Sequence, residues 1–274
     1  AYSSGYIFAS YMDNRIWRHS LAGASGTAIW ANPGQGNPDP GASDIACDDT
    51  NNYVYSVMRY QQTGGGAVFR MGFDGSNVTH ILPKATADGN MWTVVADEAH
   101  NGVFMSGENG VWYYDNDTSE LTKLYTPGDF KVWLSGTDGD YIYWFDTTSA
   151  ETRKNIYRSS LDFQQHTKIR EQLGVYMSDL ALDFANGKAY YKAHSGSLDY
   201  LYRADLFTPT VNLSITPNIT AGTAAISEDA EVYFFETTGC PSSRVNEADG
   251  WAVNLSGQFN TRWLRGPDIE QEGA

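Results

Sequence analysis

The chain has 274 residues, 41% of them hydrophobic and 14% aromatic, enough apolar side-chain mass to fill the interior of one large domain. Its formal net charge is −15, from 33 Asp and Glu against 18 Lys and Arg, which argues against a nucleic-acid backbone or an anionic membrane as partner. No apolar run approaches the roughly 18 to 20 residues that cross a bilayer as a helix.

Taken in chain order, the predicted elements repeat. Gly5-Tyr6-Ile7-Phe8 reads as a strand with no inner strand before it, and Ile16-Trp17-Arg18 as the strand that follows. Ser43-Asp44-Ile45-Ala46-Cys47-Asp48, a polar turn at 49–52, Tyr53-Val54-Tyr55-Ser56-Val57 and Val68-Phe69-Arg70 then make a complete unit. The same order returns with Trp92-Thr93-Val94-Val95-Ala96-Asp97, Gly102-Val103-Phe104 and Val111-Trp112-Tyr113. It returns again with Val132-Trp133-Leu134-Ser135, Tyr141-Ile142-Tyr143-Trp144 and Ile156-Tyr157-Arg158, and with Asp179-Leu180-Ala181-Leu182-Asp183, Ala189-Tyr190-Tyr191 and Leu201-Tyr202-Arg203. Ala224-Ala225-Ile226-Ser227, Val232-Tyr233-Phe234-Phe235 and Trp251-Ala252-Val253 close the series. The runs are short, rich in β-branched and aromatic residues, and separated by turn formers such as Asp74-Gly75-Ser76-Asn77 and Asp138-Gly139. No stretch keeps a 3.6-residue apolar rhythm, so the chain is all-β.

Four strands per unit at a period of about 40 to 50 residues describe a β-propeller blade, and the units number six. The expectation is a single domain over residues 1–274, a six-bladed propeller of four antiparallel strands per blade. Pro267-Asp268-Ile269-Glu270-Gln271-Glu272 matches Ser43–Asp48, so this C-terminal segment is expected to supply the inner strand of blade one and close the ring.

The repeat resembles the six-bladed YWTD propellers of the low-density lipoprotein receptor kind, with gluconolactonase-like and strictosidine-synthase-like propellers close behind. Tyr141-Ile142-Tyr143-Trp144-Phe145-Asp146 resembles a degenerate copy of the naming motif, Val68–Ser76 the strand and turn that follow it, and Ser178–Asp183 the inner strand. No blade carries an intact YWTD. A gluconolactonase-like site implies a Glu, two Asn and an Asp around one metal, and Glu108, Asn109, Asp179 and Asp268 lack that family's motif context. A strictosidine-synthase-like reaction implies a lone Glu in an aromatic pocket, for which Glu236 beside Phe234 and Phe235 is the candidate.

Propellers bind ligands where the inner strands begin, because loops from every blade converge there. The repeat places Asp44, Trp92, Lys131, Asp179, Thr223 and Asp268 at those starts, and Tyr11, Asp13, Arg59, Tyr60, Glu108, Asn109, Asp146, His194 and Glu236 on the adjoining connections. Trp133 and Tyr176 join Trp92 and Tyr60 as aromatics at the channel mouth. Asp44, Asp179 and Asp268 have two readings: a ring that holds Ca²⁺ or orients ligand hydroxyls, or a repeated cap that accepts backbone hydrogen bonds from its own or the next blade. Which reading applies depends on whether the carboxylates point into the channel or sideways. His19, His80 and His166 are expected in solvated turns after third strands, and His100 in the turn of blade three. Only His194, next to Ser195, faces the loop end, without a nucleophile elbow around it.

The favoured function is a single axial site for a carbohydrate or another small ligand, in the manner of a lectin. The alternatives are a metal-assisted lactone or ester hydrolase on the same face and a protein-interaction propeller. Sequons at Asn77, Asn116, Asn212, Asn218 and Asn254 make a secreted glycoprotein the expectation, and the start at Ala1, close to the first strand, reads as a processed terminus. An extracellular chain could pair Cys47 with Cys240, but the repeat sets these in blades two and six, so a free, buried Cys47 is preferred.

Overall fold

The computed structural model describes residues 2–3, 5–10, 15–20, 26–31, 42–59, 66–83, 89–128, 130–148, 153–171, 176–195, 198–206, 213–217, 223–226, 231–236 and 249–254. Apart from one turn of 3₁₀ helix at Glu98–His100, the regular structure among these residues is strand. Each sheet is an antiparallel meander, built from strands adjacent in sequence.

The first sheet orders β1 (Tyr2–Ser3), β2 (Tyr6–Ser10), β3 (Arg15–Ser20) and β4 (Thr27–Ala31). The second holds β5 (Ala42–Asp48), β6 (Tyr53–Arg59), β7 (Gly66–Gly72) and β8 (Thr79–Leu82). The third holds β9 (Met91–Asp97), β10 (Gly102–Gly107), β11 (Gly110–Asp115) and β12 (Leu121–Tyr125). The fourth is β13 (Phe130–Thr137), β14 (Tyr141–Thr148), β15 (Arg153–Ser160) and β16 (His166–Glu171). The fifth is β17 (Tyr176–Asp183), β18 (Lys188–Ser195), β19 (Leu198–Asp205) and β20 (Leu213–Pro217), and β21 (Thr223–Ile226), β22 (Glu231–Glu236) and β23 (Asp249–Asn254) form the last.

One expectation is corrected at the N-terminus. Tyr2 and Ser3 form an inner strand ahead of Gly5, pairing with Ile7 and Tyr6. Gly5 makes this possible, because its φ of +79° supplies the tight reversal that other residues resist. The segment 267–272 lies outside the described residues.

The described backbone forms two compact units, residues 1–21, 26–149 and 157–167 in one and 22–25, 150–156 and 168–274 in the other. Within the first unit, apolar clusters fill the space between successive sheets. Phe8, Ile16, Val54, Met71 and Phe73 join the first sheet to the second, and Tyr55, Val57, Met91, Val94, Met105 and Trp112 join the second to the third. Val95, Phe104, Val132, Leu134, Trp144 and Phe163 join the third to the fourth. Strand residues from neighbouring sheets meet in these clusters, which is why the predicted runs are apolar on both faces. In the second unit Leu180, Ala181, Ala189, Tyr190, Tyr191 and Leu206 are buried.

The recurring third-strand Arg has a defined job. Arg18 lies over the Tyr6 ring at 4.8 Å, Arg70 over Tyr53 at 4.5 Å and Arg158 over Tyr141 at 4.3 Å, each Tyr opening the second strand of the same sheet. Arg18 also donates to the Phe73 carbonyl of the second sheet at 3.1 Å, and Arg70 to Asn116 Oδ1 of the third at 2.6 Å. The third sheet exchanges the pair: Gly102 stands where the first, second and fourth sheets have Tyr, and Tyr113 where they have Arg. A Cβ on Gly102 would meet the Tyr113 hydroxyl, so the ring fills the space that the glycine leaves.

Candidate functional site

The inner strands share a register anchored at their C-terminal ends. Asp48 accepts from the Asn51 backbone at 2.9 Å and side chain at 2.8 Å, and Asp183 accepts from Asn186 in the same two ways at 3.1 and 2.8 Å. Asp97 takes His100 Nδ1 at 3.1 Å instead. These carboxylates lock the turn into the second strand, an Asx-type device repeated through the sheets.

Counting back from these anchors, and by cross-strand pairing, the positions equivalent to Asp44 are Thr93, Trp133, Asp179 and Thr223. Trp92 and Lys131 therefore sit one and two residues ahead of the equivalent position, a correction to the sequence alignment. For Trp92 the cause is a β-bulge: pairing slips between Met91 and Thr93, leaving Trp92 out of the ladder, as it slips between Ala42 and Asp44 and between Met177 and Asp179, whereas in β13 the slip lies between Leu134 and Gly136.

Asp44 points sideways. Its Oδ1 accepts the Ile45 N–H at 2.9 Å, and its Oδ2 accepts the Val94 N–H of the third sheet, also at 2.9 Å. The cap reading thus holds for this aspartate, whose two oxygens each serve backbone. Thr93 repeats the stitch one sheet on, accepting the Leu134 N–H at 2.9 Å. Because Ser106 Oγ donates to the Val132 carbonyl at 2.8 Å, the Thr93 hydroxyl donates to Ser106 Oγ across their 2.6 Å contact. Thr93 and Ser106 were legible only through the correct register.

The fourth sheet breaks the pattern. Trp133 replaces the oxygen acceptor and stacks on Trp92 at 5.5 Å between ring centres and 10° between planes. Phe145, its cross-strand partner, continues the stack at 6.1 Å and 8°. Lys131 places its ammonium 4.8 Å from the centre of the Trp92 ring while remaining exposed. Trp92 is only 4% exposed, so the indoles form a floor rather than an open platform. Beside the start of β9, the exposed turn between β10 and β11 is tied down by Glu108, whose Oε2 accepts from the Asn90 backbone at 3.3 Å and amide at 3.4 Å.

The remaining candidates divide by position. Asp179 pairs with Lys192 and Tyr176 with His194, so β17 and β18 bring these residues opposite one another in register. Arg59 pairs with Gly66 at the end of β6, and Glu236 with Asp249 at the end of β22. Asp146 is buried in β14 and accepts from the Tyr157 hydroxyl at 3.3 Å. Tyr11, Asp13, Tyr60, Asp268 and Cys240 lie outside the described residues. Among the described residues no group of three or more His, Cys, Asp and Glu is arranged to hold a metal ion.

The histidines are also corrected. His19 lies in β3, His80 in β8 and His166 in β16, rather than in turns, while His80 and His166 are exposed as expected and His19 is half-buried. His80 stacks on Phe69 at 4.4 Å and 7°, and His166 Nδ1 sits 2.6 Å from Ser159 Oγ, which itself accepts from Trp144 Nε1 at 2.7 Å. Burial holds all three imidazoles below their usual pKa. Among the described residues Cys47 is in no disulfide, and burial pushes its thiol up to about 12.

No protein-family model matches the chain, and no curated protein matches it. Solved structures do. The chain is similar to a chain of a nidogen/laminin complex, with a TM-score of 0.71 at 14% identity, covering 93% of this chain and 91% of that one. It is similar to TolB from Acinetobacter baumannii, with a TM-score of 0.69 at 12% identity over 96% of this chain and 65% of that one. A prolyl endopeptidase matches with a TM-score of 0.61 at 9% identity, over 98% of this chain and 42% of its own length. The fold is a β-propeller resembling the YWTD kind, as the repeat implies.

Proposed function

We propose that this propeller binds a carbohydrate or another small polar ligand at the end of the sheets where β9 and β13 begin. The observation that carries the reading is the break in the repeat: a stitching oxygen present as Asp44 and Thr93 gives way to Trp133, and the exposed Lys131 stands over the resulting stack. The Trp92, Trp133 and Phe145 rings supply a rigid floor, while Lys131, Glu108 and Asn109 supply exposed charge and hydrogen-bonding groups at the same end. The same proposal includes six blades, an extracellular location, and one axial site rather than one per blade. Calcium, if used, would have to be held by Asp179 and Asp268, since Asp44 is committed to backbone.

Glycan-array screening followed by calorimetry tests this. Lys131→Ala is expected to weaken the strongest hit at least tenfold with Tm unchanged, and equal affinity in the variant would refute the site. A protein-interaction role is the second reading, favoured by similarity to a chain of the nidogen/laminin complex across 91% of that chain. A metal-assisted hydrolase would instead show lactone turnover abolished by a chelator.

A further inference from the structure

The sequons differ in what their amides do, and two of them lie in fully described turns. Asn116 is a node between the second and third sheets. Its Nδ2 donates to the Tyr55 hydroxyl at 2.8 Å and to Asn101 Oδ1 at 3.2 Å, while its Oδ1 accepts Arg70 Nη1 at 2.6 Å. Asn101 Oδ1 receives Asn51 as well, at 2.9 Å, and Asn51 is held by Asp48, so the node ties two inter-strand turns together. A sugar on Asn116 Nδ2 would leave one proton for two acceptors and put a ring where an acceptor now sits.

Asn77 is the opposite case. The turn around it is closed without its side chain, through Gly72 N–H to the Ser76 carbonyl at 2.8 Å, Gly75 N–H to the Gly72 carbonyl at 2.8 Å and Ser76 N–H to Asp74 Oδ1 at 2.9 Å. Asn77 itself is exposed with φ of +54°, and its amide makes only a long 3.4 Å contact to Ser76 Oγ. The central residue of its sequon, Val78, is 43% exposed, one of two large hydrophobics so exposed among the described residues. An oligosaccharide on Asn77 would project from the turn and cover Val78.

We infer that Asn77 is an N-glycan acceptor of this protein and that Asn116 is a structural asparagine whose sequon stays unmodified in the folded chain. In the reaction Nδ2 bonds to the anomeric carbon of a lipid-diphosphate-linked oligosaccharide. The bond from that carbon to the diphosphate oxygen breaks, and one amide proton leaves with the diphosphate. The inference rests on the extracellular reading, but its test does not: the full chain is directed into the secretory pathway of cultured cells with an added signal peptide. The secreted protein is then mapped by enzymatic glycan release in ¹⁸O water. The expected result is a labelled Asn77, an unlabelled Asn116, loss of one glycan in Thr79→Ala and no mass change beyond the substitution in Thr118→Ala. A glycan on Asn116 in protein with normal Tm, or an unlabelled Asn77, overturns it. If the wild-type chain is retained in the cell, the retained fraction must carry the Asn116 glycan and Thr118→Ala must restore secretion; retention that persists in that variant also overturns it.

Discussion

Exchanging the Gly102 and Tyr113 pair for the Tyr and Arg of the first, second and fourth sheets is a direct test of how the blades are matched. Gly102→Tyr alone drives a new ring into the space of Tyr113, an overpacking that costs about 1 to 3 kcal/mol. Tyr113→Arg alone removes the contact with Phe104 at 4.7 Å and the hydrogen bond to the His100 carbonyl at 3.2 Å. Together these are worth about 1 to 2 kcal/mol. The double variant recreates the stack seen at 4.8, 4.5 and 4.3 Å in the first, second and fourth sheets, and sets the new cation near Asp97, Asp115 and Asp117, the charges that now help raise the Tyr113 pKa. A stack of this kind returns about 0.5 to 2 kcal/mol. The double variant should therefore lie close to wild type and exceed the sum of the singles by about 1.5 to 5 kcal/mol in urea unfolding. On a chain of this size each kcal/mol moves Tm by roughly 2 to 4 °C, so calorimetry gives an independent reading. Additive singles, within about 0.5 kcal/mol, would refute the exchange.

Other outcomes follow from the same geometry. Asp44→Ala leaves the Val94 N–H without its acceptor and should cost about 1 to 3 kcal/mol, with Asp44→Asn recovering part of it; loss of ligand binding at unchanged Tm would instead put this carboxylate in a binding site. His19, His80 and His166 have folded pKa values below the unfolded value, so the unfolded chain takes up protons first as pH falls below about 6.5. Stability is therefore fully present above that pH and declines beneath it, and His166→Gln should flatten the decline in Tm measured from pH 7 to 5. Cys47, with its thiol near 12, should resist iodoacetamide at pH 8 until urea unfolds the chain, and rapid labelling of native protein by mass spectrometry would contradict its burial.

The repeat was legible because each blade writes the same three phrases, and the apolar-on-both-faces strands could only belong to sheets packed between sheets. Register was harder. A bulge moves Trp92 out of the ladder by one residue, and alignment by the first bulky residue of the strand takes the bulged position for the paired one. Asp48, Asp97 and Asp183 were in plain view as a better anchor, since each closes its turn through the residue three ahead. The direction of the Asp44 carboxylate and the meeting of Trp92 with Trp133 depend on the neighbouring sheet, 50 and 41 residues away in sequence, and a strand pattern carries no information about that approach.

Hydrogen exchange of the protein with and without its best array glycan tests the central claim most directly. The account predicts added protection in residues 89–93, 107–110 and 131–134, around the Trp92, Trp133 and Lys131 stack. Protection confined to the turns at 48–52 and 97–101, at the other end of the same strands, would contradict it.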